Sequence, residues 1–170
     1  MKKLVLPALL ALTLAACSST GPETAGTSVE DRGAGVATVT AGSASGSGIA
    51  ALTDPNNILS KRSVFFDFDS YIIKSEAKPL VEAHARFLVQ NPQMKMLIQG
   101  NTDERGSREY NLALGQKRAD VVKQALLLLG AKEAQIESVS LGEEKPRCED
   151  RTEACYGENR RGDMLYSGEF

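Results

Sequence analysis

Met94-Lys95-Met96-Leu97-Ile98-Gln99-Gly100-Asn101-Thr102-Asp103-Glu104-Arg105-Gly106-Ser107 opens the stretch on which the fold turns, and Leu126-Leu127-Leu128-Leu129-Gly130 closes it. Met94 to Ile98 is a mostly apolar run of strand length. Gly100 to Gly106 follows with two glycines and a cluster of charges, which predicts a tight polar loop. Ser107 stands where a helix N-cap is needed and Gly130 where a stop is needed, so the spacing predicts a helix to about Leu129.

On a wheel of about 100° per residue, Leu114, Val121, Val122, Ala125, Leu128 and Leu129 mark an apolar arc of that helix. Gln116, Lys117, Asp120, Lys123 and Gln124 lie opposite. Asn111 and Arg118 break the pattern, because both fall inside the apolar arc. With Leu114 they form an i, i+3, i+7 stripe that starts in the first turn. A guanidinium facing a core is costly unless a carboxylate meets it. Helical side chains lean toward the N-terminus, so Arg118 is expected to point back at the loop that carries Asp103. Two arrangements answer to this pattern. One is a structural Asp103–Arg118 ion pair closing the loop. The other is a cleft presenting a carboxylate and a guanidinium side by side, which suits a zwitterion with an ammonium and a carboxylate on one carbon.

These residues resemble a known family. Gly100-Asn101-Thr102-Asp103-Glu104-Arg105-Gly106, Tyr110-Asn111 and Leu114-Gly115-Gln116-Lys117-Arg118-Ala119 resemble the peptidoglycan-binding motif of OmpA C-terminal-like domains. Val64-Phe65-Phe66-Asp67-Phe68-Asp69-Ser70 before it and Asn159-Arg160-Arg161 after it narrow the likeness to lipoprotein members that work with the Tol proteins. The resemblance covers about residues 61–170. It implies binding of the meso-diaminopimelate of uncrosslinked peptidoglycan stems without cofactor, metal or chemistry. Asp103 would accept hydrogen bonds from the ammonium and Arg118 would hold the carboxylate. Asp69 would add backbone or side-chain contacts, Asn111 a hydrogen bond, and Leu114 packing. The resemblance also implies TolB as a partner on an overlapping surface, and a role in envelope integrity and cell division. The alternative is an OmpA-like lipoprotein that binds peptidoglycan outside the Tol system.

The start of the chain points to a lipoprotein by itself. Lys2 and Lys3 precede an apolar run from Leu4 to Leu14 that has signal-peptide length and is too short to span a bilayer as a helix. Leu14-Ala15-Ala16-Cys17 has the form of a lipobox. Residues 1–16 are therefore expected to be removed and Cys17 to carry the lipid. Ser18 at the next position is similar to lipoproteins exported to the outer membrane. Residues 17–60, rich in Gly, Ser, Thr and Ala, read as the lipidated N-terminus and a flexible linker. The folded domain is expected over 61–170, facing the periplasm.

Within it, Val64 to Phe68 suits a strand. Ser75 is expected to cap a helix running to about Gln90, with Pro79 in its first turn and Pro92 beyond its end. Ile136 to Leu141 reads as a third strand and Met164 to Tyr166 as part of a last one. The order β-α-β-α-β-β implies an α+β sandwich, with the helices on one face of a mixed sheet and some strands parallel.

Composition and spacing limit the other functions. Lys and Arg number 20 against 22 Asp and Glu, and without Lys2 and Lys3 the balance is 18 against 22, a net −4 that argues against a nucleic-acid partner. His84 is the single histidine and sits between apolar neighbours on the first predicted helix, which reads as a hydrogen-bonded core position rather than a zinc ligand. No phosphate-binding Gly-Lys loop and no Gly-x-Ser-x-Gly elbow occur, so no catalytic constellation is offered. Cys148 and Cys155 lie seven residues apart in a polar loop. In an exported protein they can close a local disulfide; the other state is two reduced thiols.

Overall fold

The computed structural model describes residues 44–170. The stretch expected to be a signal peptide (1–16), Cys17, where the lipid is expected, and the expected linker as far as residue 43 lie outside the described residues. Eight main elements follow in order: α1 (Ala44–Thr53), β1 (Ser63–Phe65), α2 (Lys78–Gln90), β2 (Met96–Asn101), α3 (Arg108–Leu128), β3 (Ile136–Gly142), α4 (Glu153–Asn159) and β4 (Arg161–Tyr166).

The sheet order is β1-β4-β2-β3. β2 and β3 are parallel, and β4 runs antiparallel to both β1 and β2. The last strand thus slots between the first and the second. Register puts Met96 beside Ile136 and Tyr166, and Ile98 beside Met164. These five side chains are buried with Leu80, Val81, Ala85 and Leu88 of α2 and Ala119, Val122 and Leu126 of α3. The opposite sheet face carries Glu137, Gln99, Asp163 and Arg161, as period-2 alternation requires of a sheet with its core on one side. The expected α+β architecture is therefore present, with α2 and α3 on one face.

Ser107 caps α3 through its side chain, which accepts from the Tyr110 N–H at 3.2 Å. At the other end the Gly130 N–H donates to Leu127 and the Ala131 N–H to Leu126, a Schellman closure with Gly130 at φ +101°. The buried stripe of α3 runs Asn111, Leu114, Gly115, Arg118, Ala119, Val122 and Leu126. Leu128 and Leu129, expected in the apolar arc, are instead exposed. Four consecutive leucines cover every side of the last turn, so hydrophobicity there does not single out a face.

Other differences have local causes. β1 stops at Phe65 although the expected strand runs to Phe68, and arginine side chains take the two carbonyls that follow it as well as that of Ser70. Arg160 Nε donates to Phe66, and Arg118 Nη2 and Nε donate to Asp67 and Ser70. β2 extends through Gly100 and Asn101, into the predicted loop. Part of the expected linker is ordered onto the domain. α1 buries Leu52, and the Arg62 guanidinium donates to the Leu52 carbonyl at 3.0 Å. Cys148 and Cys155 form the disulfide, with Cα atoms 5.3 Å apart. Cys155 lies in the first turn of α4, a helix too short for a periodic signal.

Candidate ligand cavity at the end of the sheet

α3 lies unusually close to β2. A Cβ placed on Gly100 would be 1.8 Å from the Gly115 carbonyl oxygen, and one on Gly115 would be 2.3 Å from Ser140 Oγ. Only hydrogen side chains at both positions allow this approach. It brings the first turns of α3 over the loop that leaves β2, and the loop after β1 closes the third side. Between them is a cavity of about 200 Å³ lined by Asp69, Asp103, Asn111, Leu114 and Arg118, together with Phe68, Thr102, Arg105, Gly106, Tyr110 and Arg160. All five residues expected at a site are thus brought together.

Arg118 is fully buried. Its Nε donates to Ser70 O at 2.8 Å, Nη1 to Asn101 O at 2.9 Å and Nη2 to Asp67 O at 3.1 Å. Five N–H groups less these three leave one on each terminal nitrogen. Burial pulls its pKa down to about 10, against the pull of nearby Asp103, so the group stays cationic at neutral pH. The Phe66 ring lies 5.4 Å from the guanidinium carbon.

Of the two arrangements open to the sequence, the Asp103–Arg118 ion pair is not formed. Asp103 Oδ2 instead accepts from Arg105 Nη2 at 2.6 Å and from Arg160 Nη1 at 3.1 Å, and Oδ1 accepts from the Arg105 N–H at 3.2 Å. Burial alone would raise the Asp103 pKa, and these arginine bonds outweigh it and hold the carboxyl below its usual range. Arg118 reaches backbone carbonyls instead, two on the loop after β1 (Asp67 and Ser70) and one at the end of β2 (Asn101).

The remaining expected residues frame the cavity. Asp69 has a left-handed backbone, φ +52°, and its carboxylate accepts from the Tyr110 hydroxyl. Asn111 is buried and its amide donates to Glu143. Leu114 contributes the apolar wall. Arg105 and Arg160 were missing from the expected set. Arg160 carries a signal in the Asn159-Arg160-Arg161 motif, whereas Arg105 had none beyond its place in the loop. Glu104 turns away to meet Arg151 and the Tyr156 hydroxyl. No group of three or more metal-ligating side chains occurs among the described residues, and no helix among them is long and apolar enough to cross a membrane.

The OmpA family profile matches residues 65–160. The chain belongs to the OmpA family. Within that family it is similar to peptidoglycan-associated lipoproteins. The one from Haemophilus influenzae is 40% identical over 90% of this chain and 90% of its own length. That from Pasteurella multocida is 48% identical over 61% of this chain and 69% of its own. The crystal structure of the peptidoglycan-associated lipoprotein from Burkholderia pseudomallei matches with a TM-score of 0.67 and 56% identity, covering 68% of this chain and 98% of that one. The C-terminal domain of Helicobacter pylori MotB, at 20% identity and a TM-score of 0.58 over 63% of this chain and 84% of that one, shares the OmpA-family fold.

Proposed function

We propose that this OmpA-family chain is an outer-membrane lipoprotein that holds the free zwitterionic end of meso-diaminopimelate in uncrosslinked peptidoglycan stems. The observation that carries the reading is Arg118. A fully buried guanidinium with no bonded carboxylate, and one N–H left on each terminal nitrogen, is a bidentate seat for a ligand carboxylate. Asp103, on the same cavity wall, supplies the negative charge for the ammonium. Leu114 and Asn111 then pack on and hydrogen-bond the neighbouring stem atoms, and the Asp69 loop closes over them. Recognition by paired charges moves no atoms between molecules, so the role is binding. Similarity to peptidoglycan-associated lipoproteins along nearly the whole chain supports it.

A lipid on Cys17 and a wall-binding domain at the other end would tie the outer membrane to the cell wall. Likeness to the Tol-associated lipoproteins points further, to TolB as a competing partner and to envelope integrity and cell division. The test is co-sedimentation of the full chain, in mild detergent, with purified sacculi. The parent is expected to pellet. Asp103→Asn and Arg118→Ala, each checked for its fold by circular dichroism, are expected to bind about 30-fold or more weakly, as loss of a charged bond in a desolvated site implies. Undiminished binding by the folded variants would place the wall site elsewhere. Retention of TolB on the parent, and its release by sacculi, tests the Tol assignment separately.

A further inference from the structure

The Asp103 carboxylate is already occupied. Two carboxylate oxygens offer about four acceptor positions. Three are taken: two by Arg105, through its side chain at 2.6 Å and its backbone N–H at 3.2 Å, and one by Arg160 at 3.1 Å. A ligand ammonium brings three donors. With the Arg105 side chain in place it finds a single open acceptor position, on Oδ1, and release of the shortest bond opens a second on Oδ2. Arg160 is not the group to yield. It is nine-tenths buried, and it is also fixed to Phe66 O and to Glu153.

Arg105 differs in each respect. Its side chain is one-third exposed, and its Nε has no hydrogen-bond partner. A second resting place is already built beside it. Glu153 Oε2 accepts from Arg105 Nη1 at 3.2 Å, and the guanidinium lies between two rings, 4.1 Å from the centroid of Phe68 and 4.4 Å from that of Tyr156. Stacking between aromatic faces holds a planar cation without fixing its rotation in the plane. A small swing away from Asp103 therefore keeps a carboxylate and both rings in reach.

We propose that Arg105 is a displaceable internal cation that occupies the ammonium subsite and is exchanged for the ammonium of the ligand. The proposal rests on the zwitterion reading of the cavity. Arg105 then acts as a gate on affinity and a filter on ligand charge. An incoming group must replace a cation on Asp103, so a neutral amide in place of the ammonium leaves the gate shut. The exchange also keeps the site near neutrality before and after binding, which limits the penalty of an unpaired buried Asp103 in the empty state.

The direction of one substitution decides it. Isothermal titration of the full chain with a stem tripeptide ending in meso-diaminopimelate is the assay. Arg105→Gln removes the competing cation and is expected to bind about tenfold more tightly, the size of one charged hydrogen bond no longer contested. Arg105→Lys, still cationic, is expected near the parent. Weaker or unchanged binding by Arg105→Gln overturns the exchange and makes Arg105 a positioning residue for Asp103. In the parent, the Arg105 Nε–H resonance is expected to shift along the same saturation curve; an unmoved resonance also overturns it, even if the glutamine variant folds poorly. Asp103→Asn and Arg118→Ala run alongside. If both bind as tightly as the parent, the zwitterion reading fails; if both lose binding while Arg105→Gln does not gain, that reading stands and the gate alone fails.

Discussion

Arg118 and His84 are both fully buried on helices and both donate to backbone carbonyls, yet burial drives their charges apart. Arg118 starts so high that a fall to about 10 leaves it cationic. His84 falls from 6.5 to about 4, burial being the main cause, and is neutral. Its tautomer follows from its partners. Nε2 lies 2.8 Å from Lys61 O, an acceptor only, so Nε2 carries the proton and Nδ1 accepts from the Tyr166 hydroxyl at 2.7 Å. Between pH 6.5 and about 4 the unfolded chain binds a proton that the folded chain refuses. The His84 contribution to stability is therefore complete above pH 6.5 and drains as pH falls toward 4, by about 3 kcal/mol in all. Denaturant melts at pH 7 and pH 4.5 should show this loss in the parent. His84→Gln, less stable at pH 7, should lose markedly less over the same interval, so that the two variants converge in acid. Parallel losses would show that carboxylates alone carry the acid response.

At the scale of elements, the approach of α3 to β2 is the device that makes the cavity. Gly100→Ala sets a methyl against the Gly115 carbonyl, where neither backbone can yield. We expect a loss on the order of 3 kcal/mol or more in urea denaturation, with weakened binding as α3 is levered off the sheet. Gly157→Ala in α4 is the comparison: its methyl would meet only Arg160 Nη2 at 3.6 Å, and the change should stay within about 1 kcal/mol. Equal stability of the two variants would remove the close approach from the account. Much at this scale could be read from residue order. Ser107, Gly130 and the Asn111–Leu114–Arg118 stripe announced α3, its ends and its buried polar face, because caps and the helical period are local signals. The partners of Arg118 and Asp103 could not be read that way. Arg118 meets carbonyls 17, 48 and 51 residues away, and Asp103 meets Arg160 across 57. No periodicity encodes such pairs. The insertion of β4 between β1 and β2 is likewise a property of the whole sheet, and α1 hides in a Gly- and Ser-rich stretch whose helix is supported by Leu52 docking rather than by pattern.

At the scale of the molecule, the proposed function gives the two ends of the chain separable tasks. The cavity is built wholly from residues 68–160, while the expected lipobox ends at Cys17. Membrane attachment and wall attachment should therefore be lost independently. Several acyl chains give stable anchoring where one gives only marginal binding, so Cys17→Ser is expected to move the chain from the membrane to the soluble periplasmic fraction. Its domain should still pellet with sacculi as the parent does. Arg118→Ala should do the reverse, staying with outer-membrane vesicles and leaving the wall. Only the parent should make vesicles and sacculi sediment together, since a tether works through simultaneous engagement of both ends. If Cys17→Ser still bridges them, the domain itself holds a membrane surface and the lipid is dispensable. If Arg118→Ala still bridges them, the wall contact lies outside the cavity.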